Sequence, residues 1–222
     1  MKKPYLFATI GGAAAVSIAI ILYITTTTVS TVTQTSKADF LDQMSAEMDF
    51  TYKDANANLK DALKSQNIAM SSPIILKDKA GIDKYCTFLK DKEKQKLVEY
   101  CTSTELRDSS NNFLGNIHMI GSPSFPRLVI VLIQVDPLMG QLDDVKTIFS
   151  TVTEKLVCNC WQEKKPSGFE TVDSWVDGLH KFHTSDTKLY SQSKPISLEG
   201  KTMRIELTTN TEGYIWELLI AK

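Results

Sequence analysis

The most regular hydrophobic pattern in the chain is an uninterrupted apolar run over residues 4–24, PYLFATIGGAAAVSIAIILYI. Lys2 and Lys3 precede this run, and the next charged residue after it is Lys37. A helix of this length spans about 30 Å, which is the thickness of the hydrocarbon core of a bilayer. The run therefore predicts a transmembrane helix, and the two lysines place the short tail of residues 1–3 in the cytoplasm.

A cleaved signal peptide is the alternative interpretation of this run. Signal peptides have an apolar core of about 7–15 residues and end in a small-residue cleavage site. This run is longer, and it ends in Leu22, Tyr23 and Ile24 without such a site. We therefore expect an uncleaved single-pass anchor, a threonine-rich linker at residues 25–35, and a single domain of residues 36–222 outside the cell membrane.

Apolar residues then recur at steps of three and four between residues 37 and 66, which predicts one long amphipathic helix. The stripe consists of Leu41, Met44, Met48, Tyr52, Ala55, Leu59 and Ala62. Such a stripe packs on its own domain or on a second copy, and the small residues of the anchor offer a further helix–helix surface. We expect lipid around residues 4–24, and a protein partner or self-association through the transmembrane helix or through helix 37–66.

Helical spacing returns around two cysteines, in Ile82, Tyr85, Cys86 and Leu89 and again in Leu97, Tyr100 and Cys101. One continuous helix would separate Cys86 from Cys101 by about 22 Å. A disulfide requires Cα atoms within about 7 Å of each other. Either this segment turns back as a helical hairpin, or the two cysteines pair elsewhere.

Strand patterns and helix patterns alternate through the middle of the domain. Residues 113–120 and 127–135 predict a hairpin, and the second of these is apolar on both faces, as in a covered strand. An amphipathic helix is expected over residues 141–158. A second helix carries the stripe Val172, Trp175, Val176, Leu179 and Phe182, with Ser167 and Glu170 as its expected capping box.

The C-terminus carries the clearest hairpin pattern, because apolar and polar residues alternate on both sides of a turn at residues 210–213. Pairing Leu207 with Trp216 brings the two apolar faces together. The same register puts Glu206 opposite Glu217, a repulsion that we expect water to screen. The whole order predicts an α+β fold, with an antiparallel sheet of four or five strands in two hairpins and helices packed mainly on one face.

Charge and motifs narrow the function classes. Lys2 and Lys3 belong to the 25 basic residues, so the outer part has 23 basic against 26 acidic residues, which argues against nucleic-acid binding. The sequence contains no nucleophile elbow, phosphate loop, zinc-protease motif or dinucleotide fingerprint. Catalytic activity stays open, and we expect a non-enzymatic domain without a cofactor that binds a partner or ligand as an accessory subunit, scaffold or receptor-like module.

The chain has four cysteines, Cys86, Cys101, Cys158 and Cys160. An even count in an oxidising compartment predicts two disulfides, with three possible pairings. The alternative is an extracytoplasmic copper or zinc protein, or a thiol-redox protein, that uses the Cys158-Asn159-Cys160 pair. His180 and His183, three residues apart on one helix, would complete the metal site if the fold brought all four side chains together.

Overall fold

The computed structural model describes residues 46–89, 92–186 and 188–222. Its helices are α1 (Tyr52–Lys64), α2 (Lys79–Tyr85), α3 (Lys92–Gln95), α4 (Leu142–Leu156), α5 (Trp161–Lys164) and α6 (Val172–Thr184), with a 3₁₀ turn at Pro166–Gly168. Its strands are β1 (Ala69–Met70), β2 (Ile74–Leu76), β3 (Tyr100–Arg107), β4 (Phe113–Gly121), β5 (Pro126–Val135), β6 (Tyr190–Gln192), β7 (Ile196–Leu198), β8 (Lys201–Asn210) and β9 (Gly213–Ala221).

These strands form one antiparallel sheet. Five long strands lie in the order β3-β4-β5-β9-β8, and short strands extend both edges: β1 and β2 pair with β3, and β6 and β7 pair with β8. The α+β class and the antiparallel sheet are thus confirmed, as are both hairpins. The expected count of four or five strands is too low, because the described residues alone form nine, of which four are only two or three residues long.

The terminal hairpin has the register that the alternation predicts. Leu207 pairs with Trp216, both side chains are fully buried, and only two residues separate the paired Asn210 and Gly213. Gly213 has a φ of 140°, and a Cβ at this position would lie 2.1 Å from the Val135 carbonyl oxygen. Glycine is therefore required where the hairpin turns against β5.

The sheet has two differently covered faces. Helices α1, α4 and α6 pack over one face, where the main core includes Leu59, Phe149, Val176, Ile205 and Trp216. The middle of the opposite face is covered by residues 82–89 and 92–98, whose apolar side chains pack on the sheet residues Cys101, Ile130 and Leu219. Buried apolar area of this kind stabilises a fold by about 25 cal/mol per Å².

The long helix predicted over residues 37–66 is shorter within the described residues. Residues 46–51 are not helical, and α1 begins at Tyr52 after Thr51, whose side chain accepts a hydrogen bond from the Asp54 amide. The Met48 amide donates to the Pro126 carbonyl over 2.7 Å, and this hydrogen bond connects the segment of residues 46–51 to strand β5. The stripe from Met48 onward thus serves the chain's own core. Residues 37–45 lie outside the described part, so self-association there stays a prediction.

Two further expectations are corrected. Tyr100 and Cys101 begin strand β3 and do not continue a helix. Helix α6 is capped by Thr171, whose hydroxyl and backbone form reciprocal hydrogen bonds with Ser174; Ser167 belongs to the 3₁₀ turn instead. At Tyr100 and Cys101, pairing with β4 overrides the helical spacing. Ser167 has a left-handed backbone with a φ of 54°, which differs from the extended conformation of an N-cap residue.

The predicted anchor at residues 4–24 and the linker at residues 25–35 lie outside the described residues. Within the part of the chain that the structure describes, no helix combines the length and the apolar character that crossing a membrane requires. The membrane location therefore stays a prediction from the sequence.

Candidate functional site

The four cysteines form two disulfides with different surroundings. Cys86–Cys101 joins the end of α2 to β3 with a Cα–Cα distance of 6.5 Å, and its residues are 1% and 0% exposed. Cys158–Cys160 closes a loop with a single residue between its cysteines, and both are partly exposed. The prediction of two disulfides is confirmed, and the pairing that was left open is now assigned.

The Cys86–Cys101 pairing depends on how the chain returns to the sheet. Cys86 caps the end of α2, and its carbonyl accepts a hydrogen bond from the Gln95 side chain over 2.9 Å. The same Gln95 side chain accepts from the Leu89 amide. Cys101 lies in strand β3, so the second half of this segment is extended. The helical hairpin that was one of the two expectations is thus replaced by a helix followed by a strand.

The Cys158–Cys160 loop connects α4 to α5 and is hydrogen-bonded to both helices. The Cys158 amide donates to the Thr153 carbonyl, and the Cys160 carbonyl accepts from the Lys164 amide. Trp161 follows directly, donates its indole N–H to the Phe169 carbonyl, and stacks on Trp175 with ring centroids 5.6 Å apart. Both ends of the loop are therefore fixed by helix backbone and by a tryptophan pair.

A cleft of about 440 Å³ opens beside this loop. Cys158 and Asn159 line it, together with the end of α4 and the start of α6. Three lining residues are acidic and none is basic: Glu154, Glu163 and Asp173. Lys155, outside the lining, pairs with Glu154, and the Ser150 hydroxyl donates to Asp173 over 2.8 Å. Cys158, one half of this disulfide, thus lines a cleft whose charged lining residues are all negative.

His183 is buried and connects α6 to β6 and β8 through two hydrogen bonds. Its two ring nitrogens lie 2.9 Å from the Ser191 hydroxyl and 2.8 Å from the Thr209 hydroxyl. The Thr209 hydroxyl donates to the Lys188 carbonyl. It must therefore accept from His183 Nε2–H, which leaves Nδ1 to accept from Ser191. Burial, followed by the charges of Lys188 and His180, lowers the pKa of His183, in agreement with this neutral tautomer.

The predicted metal set is not assembled. The His180 ring lies against Trp216 at 6.4 Å, while the sulfurs of Cys158 and Cys160 are bonded to each other. Across residues 46–89, 92–186 and 188–222, no group of three or more His, Cys, Asp or Glu side chains could hold a metal ion. A copper or zinc site at Cys158, Cys160, His180 and His183 stays a prediction that would apply to the reduced protein.

A charged cluster lies buried on the sheet face opposite the long helices. Arg204 and Glu206 form an ion pair whose side chains are 0% and 5% exposed. Burial, followed by Glu206, raises the pKa of Tyr190, which stands beside this pair on β6. Glu206 does lie opposite Glu217, as the register predicts, but water does not screen Glu206 because it is buried. The signal was present in the alternation, which places Arg204 and Glu206 on one face.

A shallow groove of about 220 Å³ lies where α6 meets the β6 edge of the sheet. Its lining residues are Trp175, Gly178, Leu179, Phe182, Gln192 and Ser193. Phe182 completes the predicted stripe of its helix but is 54% exposed, whereas the next residue, His183, is buried against β6 and β8. Lys188 Nζ stands 4.3 Å from the centre of the Phe182 ring, and the neighbouring Leu189 is 73% exposed.

The groove and the cleft are thus two surfaces of the described residues whose geometry bears on function. The groove is apolar and aromatic, and the cleft is polar and borders a disulfide. Neither resembles a catalytic arrangement that the sequence motifs would predict. In comparisons with known proteins, no family model, no curated protein and no solved structure matches this chain.

Proposed function

We propose that residues 36–222 form an extracytoplasmic domain that binds a partner protein, and that residues 4–24 hold this domain at the cell membrane. The buried Cys86–Cys101 disulfide is the observation that carries this proposal. Disulfides form and persist in oxidising compartments and are rare in the cytosol. The apolar run and the lysines before it supply the route by which the domain leaves the cytoplasm.

The groove beside α6 supports the partner-binding role. Aromatic side chains that flank a pocket are the usual anchors of protein interfaces. Phe182 and Leu189 offer such anchors, and Trp175 forms part of the groove wall. His183 bonds α6 to β6 and β8, so a partner would meet a surface that is already ordered, and binding would cost little conformational entropy.

Site-specific photo-crosslinking in intact cells tests this role. A photoreactive amino acid replaces Phe182 in one variant and Ile74 in the control; Ile74 is 66% exposed on β2, at the other edge of the sheet. We expect a discrete adduct from position 182 that is absent from position 74 and is lost when Leu189→Glu is added. Equal adducts from both positions, or none from position 182, would overturn the assigned surface.

The location is tested separately from the surface. Cells are treated with a protease that does not cross the membrane, and the domain is then followed with an antibody. We expect digestion of residues 36–222 in intact cells, because the domain faces outward. Protection of the domain until the cells are lysed would overturn the extracytoplasmic location, whatever the crosslinking shows.

A further inference from the structure

We propose that the Cys158–Cys160 disulfide is a thiol–disulfide exchange site that opens into the adjoining cleft and accepts thiols without negative charge. This activity does not depend on the partner-binding role. It follows from three features of the described residues: access to a sulfur atom, the size of the loop that the disulfide closes, and the charge around the cleft.

Access separates the two disulfides. Exchange requires a thiolate to reach a sulfur atom along the S–S axis, so accessible disulfides react and buried ones resist. Cys86 and Cys101 are 1% and 0% exposed beneath the segment that covers the sheet. Cys158 and Cys160 are partly exposed, and Cys158 lines a cleft of about 440 Å³, which has room for an incoming thiol. Cys158 is therefore the sulfur that an incoming thiolate meets.

Loop size makes the same distinction. A disulfide restricts the unfolded chain more when it closes a longer loop. By thermodynamic linkage, the factor by which a disulfide raises the folding equilibrium constant is also the factor by which folding favours that disulfide over its dithiol. The cysteines are 15 residues apart in Cys86–Cys101 and 2 apart in Cys158–Cys160. The chain-entropy relation makes this factor about tenfold smaller for the short loop. Folding therefore protects Cys158–Cys160 much less from reduction.

The acidic cleft selects among thiols. Glu154, Glu163 and Asp173 line it, and Lys155, which does not belong to the lining, pairs with Glu154. A thiolate approaching Cys158 is repelled by these carboxylates, and a second negative charge on the reagent adds to that repulsion. A cationic group on the reagent offsets it. The substrate class is thus a neutral or cationic thiol or dithiol, and the preference weakens as salt screens the carboxylates.

The exchange proceeds in two displacements. An incoming thiolate attacks Cys158 Sγ, forms a mixed disulfide there, and displaces Cys160 as a thiolate, which takes up a proton. A second thiolate then attacks the sulfur of the incoming group and displaces Cys158 as a thiolate. Two thiols become one disulfide, and the protein gains two electrons and holds a Cys158–Cys160 dithiol. The reverse sequence oxidises this dithiol with a small disulfide.

Thiol titration of the full chain in detergent tests the proposal. Samples are equilibrated with cysteamine and cystamine mixtures of increasing reducing strength, free thiols are alkylated, and each cysteine is quantified by peptide mass spectrometry. We expect Cys158 and Cys160 to open at a ratio of squared cysteamine to cystamine concentration that is about tenfold or more below the ratio that opens Cys86–Cys101, with unchanged circular dichroism. Opening of both pairs together, or only with loss of the fold, would overturn the proposal.

The choice of reagent tests the substrate class. Cysteamine and 2-mercaptoethanesulfonate carry opposite charges, and their rates at Cys158–Cys160 are each divided by their rates on the urea-unfolded protein. We expect a cysteamine preference of about threefold to tenfold at low salt. The preference should disappear in the variant Glu163→Gln/Asp173→Asn. Equal normalised rates in the unaltered protein would overturn the charge selection.

Free-cysteine variants test which sulfur faces the cleft. Cys160→Ser leaves Cys158 as a thiol, and Cys158→Ser leaves Cys160. Cystamine should form its mixed disulfide faster with Cys158 than with Cys160, because Cys158 lines the cleft. The two variants lose the same disulfide, so each is the stability control for the other. A faster reaction at Cys160 would overturn the assigned direction of attack.

Discussion

Arg204 Nη2 lies 2.7 Å from Glu206 Oε1 on one face of β8, and both side chains are almost completely buried. Glu206 is directly opposite Glu217 on β9, so two carboxylates face each other across this strand pair. Arg204 supplies the positive charge beside them. A buried charge is tolerated when it is paired, and its partner becomes costly once it stands alone.

Replacing Arg204 should therefore destabilise the domain more than removing the whole pair. Arg204→Met leaves the buried Glu206 carboxylate facing Glu217, and we expect a loss of about 3–5 kcal/mol in the free energy of unfolding. The double variant Arg204→Met/Glu206→Leu should recover much of this loss, since the buried carboxylate is also gone. Urea unfolding followed by tryptophan fluorescence measures both. A loss below about 1 kcal/mol for Arg204→Met would show that the pair carries little stability.

His118 should make stability fall on mild acidification. Burial beside Phe88, whose ring centre is 4.5 Å away, lowers the pKa of His118 to about 4, against an ordinary value near 6.5. The unfolded chain therefore binds a proton between about pH 6.5 and 4 that the folded chain does not. This contribution to stability is present above about pH 6.5 and is lost as the pH falls towards 4, by about 3 kcal/mol.

The variant His118→Phe isolates this effect, because it keeps an aromatic ring and removes the titrating group. From pH 7 to pH 4.5, the native chain should lose about 2 kcal/mol more unfolding free energy than the variant does. Carboxylates titrate equally in both proteins and cancel. An identical pH dependence in the two proteins would mean that His118 is protonated as easily in the folded chain as in the unfolded chain.

The two histidines of α6 should differ sharply in their importance. His183→Ala removes both hydrogen bonds to Ser191 and Thr209, and the buried Ser191 hydroxyl loses its His183 partner, which costs about 1–3 kcal/mol. His180→Ala removes mainly an edge contact with Trp216 and should cost about 1 kcal/mol or less. Hydrogen exchange should show faster opening of β6 in the His183 variant alone. Similar losses in both variants would contradict the assigned bonding.

The register of the terminal hairpin could be predicted because its alternation has the period of a strand and a one-residue slip would expose every apolar side chain. The break at residues 46–51 could not, since Met48 is buried at a spacing that also fits a helix. Strand β3 could not be predicted either, because it lacks the alternation of apolar and polar residues that is typical of a strand. Its core-facing positions include Thr102 and Thr104, both 1% exposed, where a strand pattern would show apolar residues.

The candidate sites were only partly predictable. The Cys158-Asn159-Cys160 spacing drew attention to that loop, but spacing alone does not specify a pairing among four cysteines. The pairing follows from β3 returning beside α2, which is a tertiary relationship. The groove likewise joins Trp175 on α6 to Gln192 on β6, and no local pattern connects these two positions.

Loss of the buried disulfide should weaken the fold more than loss of the exposed one. In the chain-entropy relation, Cys86→Ser/Cys101→Ser costs about 3 kcal/mol, and Cys158→Ser/Cys160→Ser costs about half of that. The first double variant also places hydroxyls in a fully buried site, which adds to its loss. Thermal unfolding of both variants side by side measures the difference. A larger loss for the exposed pair would contradict the structural role assigned to Cys86–Cys101.

The central claim is that an anchored domain with an oxidised, buried disulfide lies outside the cytoplasm. Peptide mapping without reduction, on protein extracted from native membranes with free thiols blocked at harvest, tests it most directly. We expect the membrane-extracted chain to retain residues 4–24 and to yield the peptides of Cys86 and Cys101 linked to each other. A chain that lacks residues 4–24, or a Cys86 that was blocked as a free thiol, would contradict the claim.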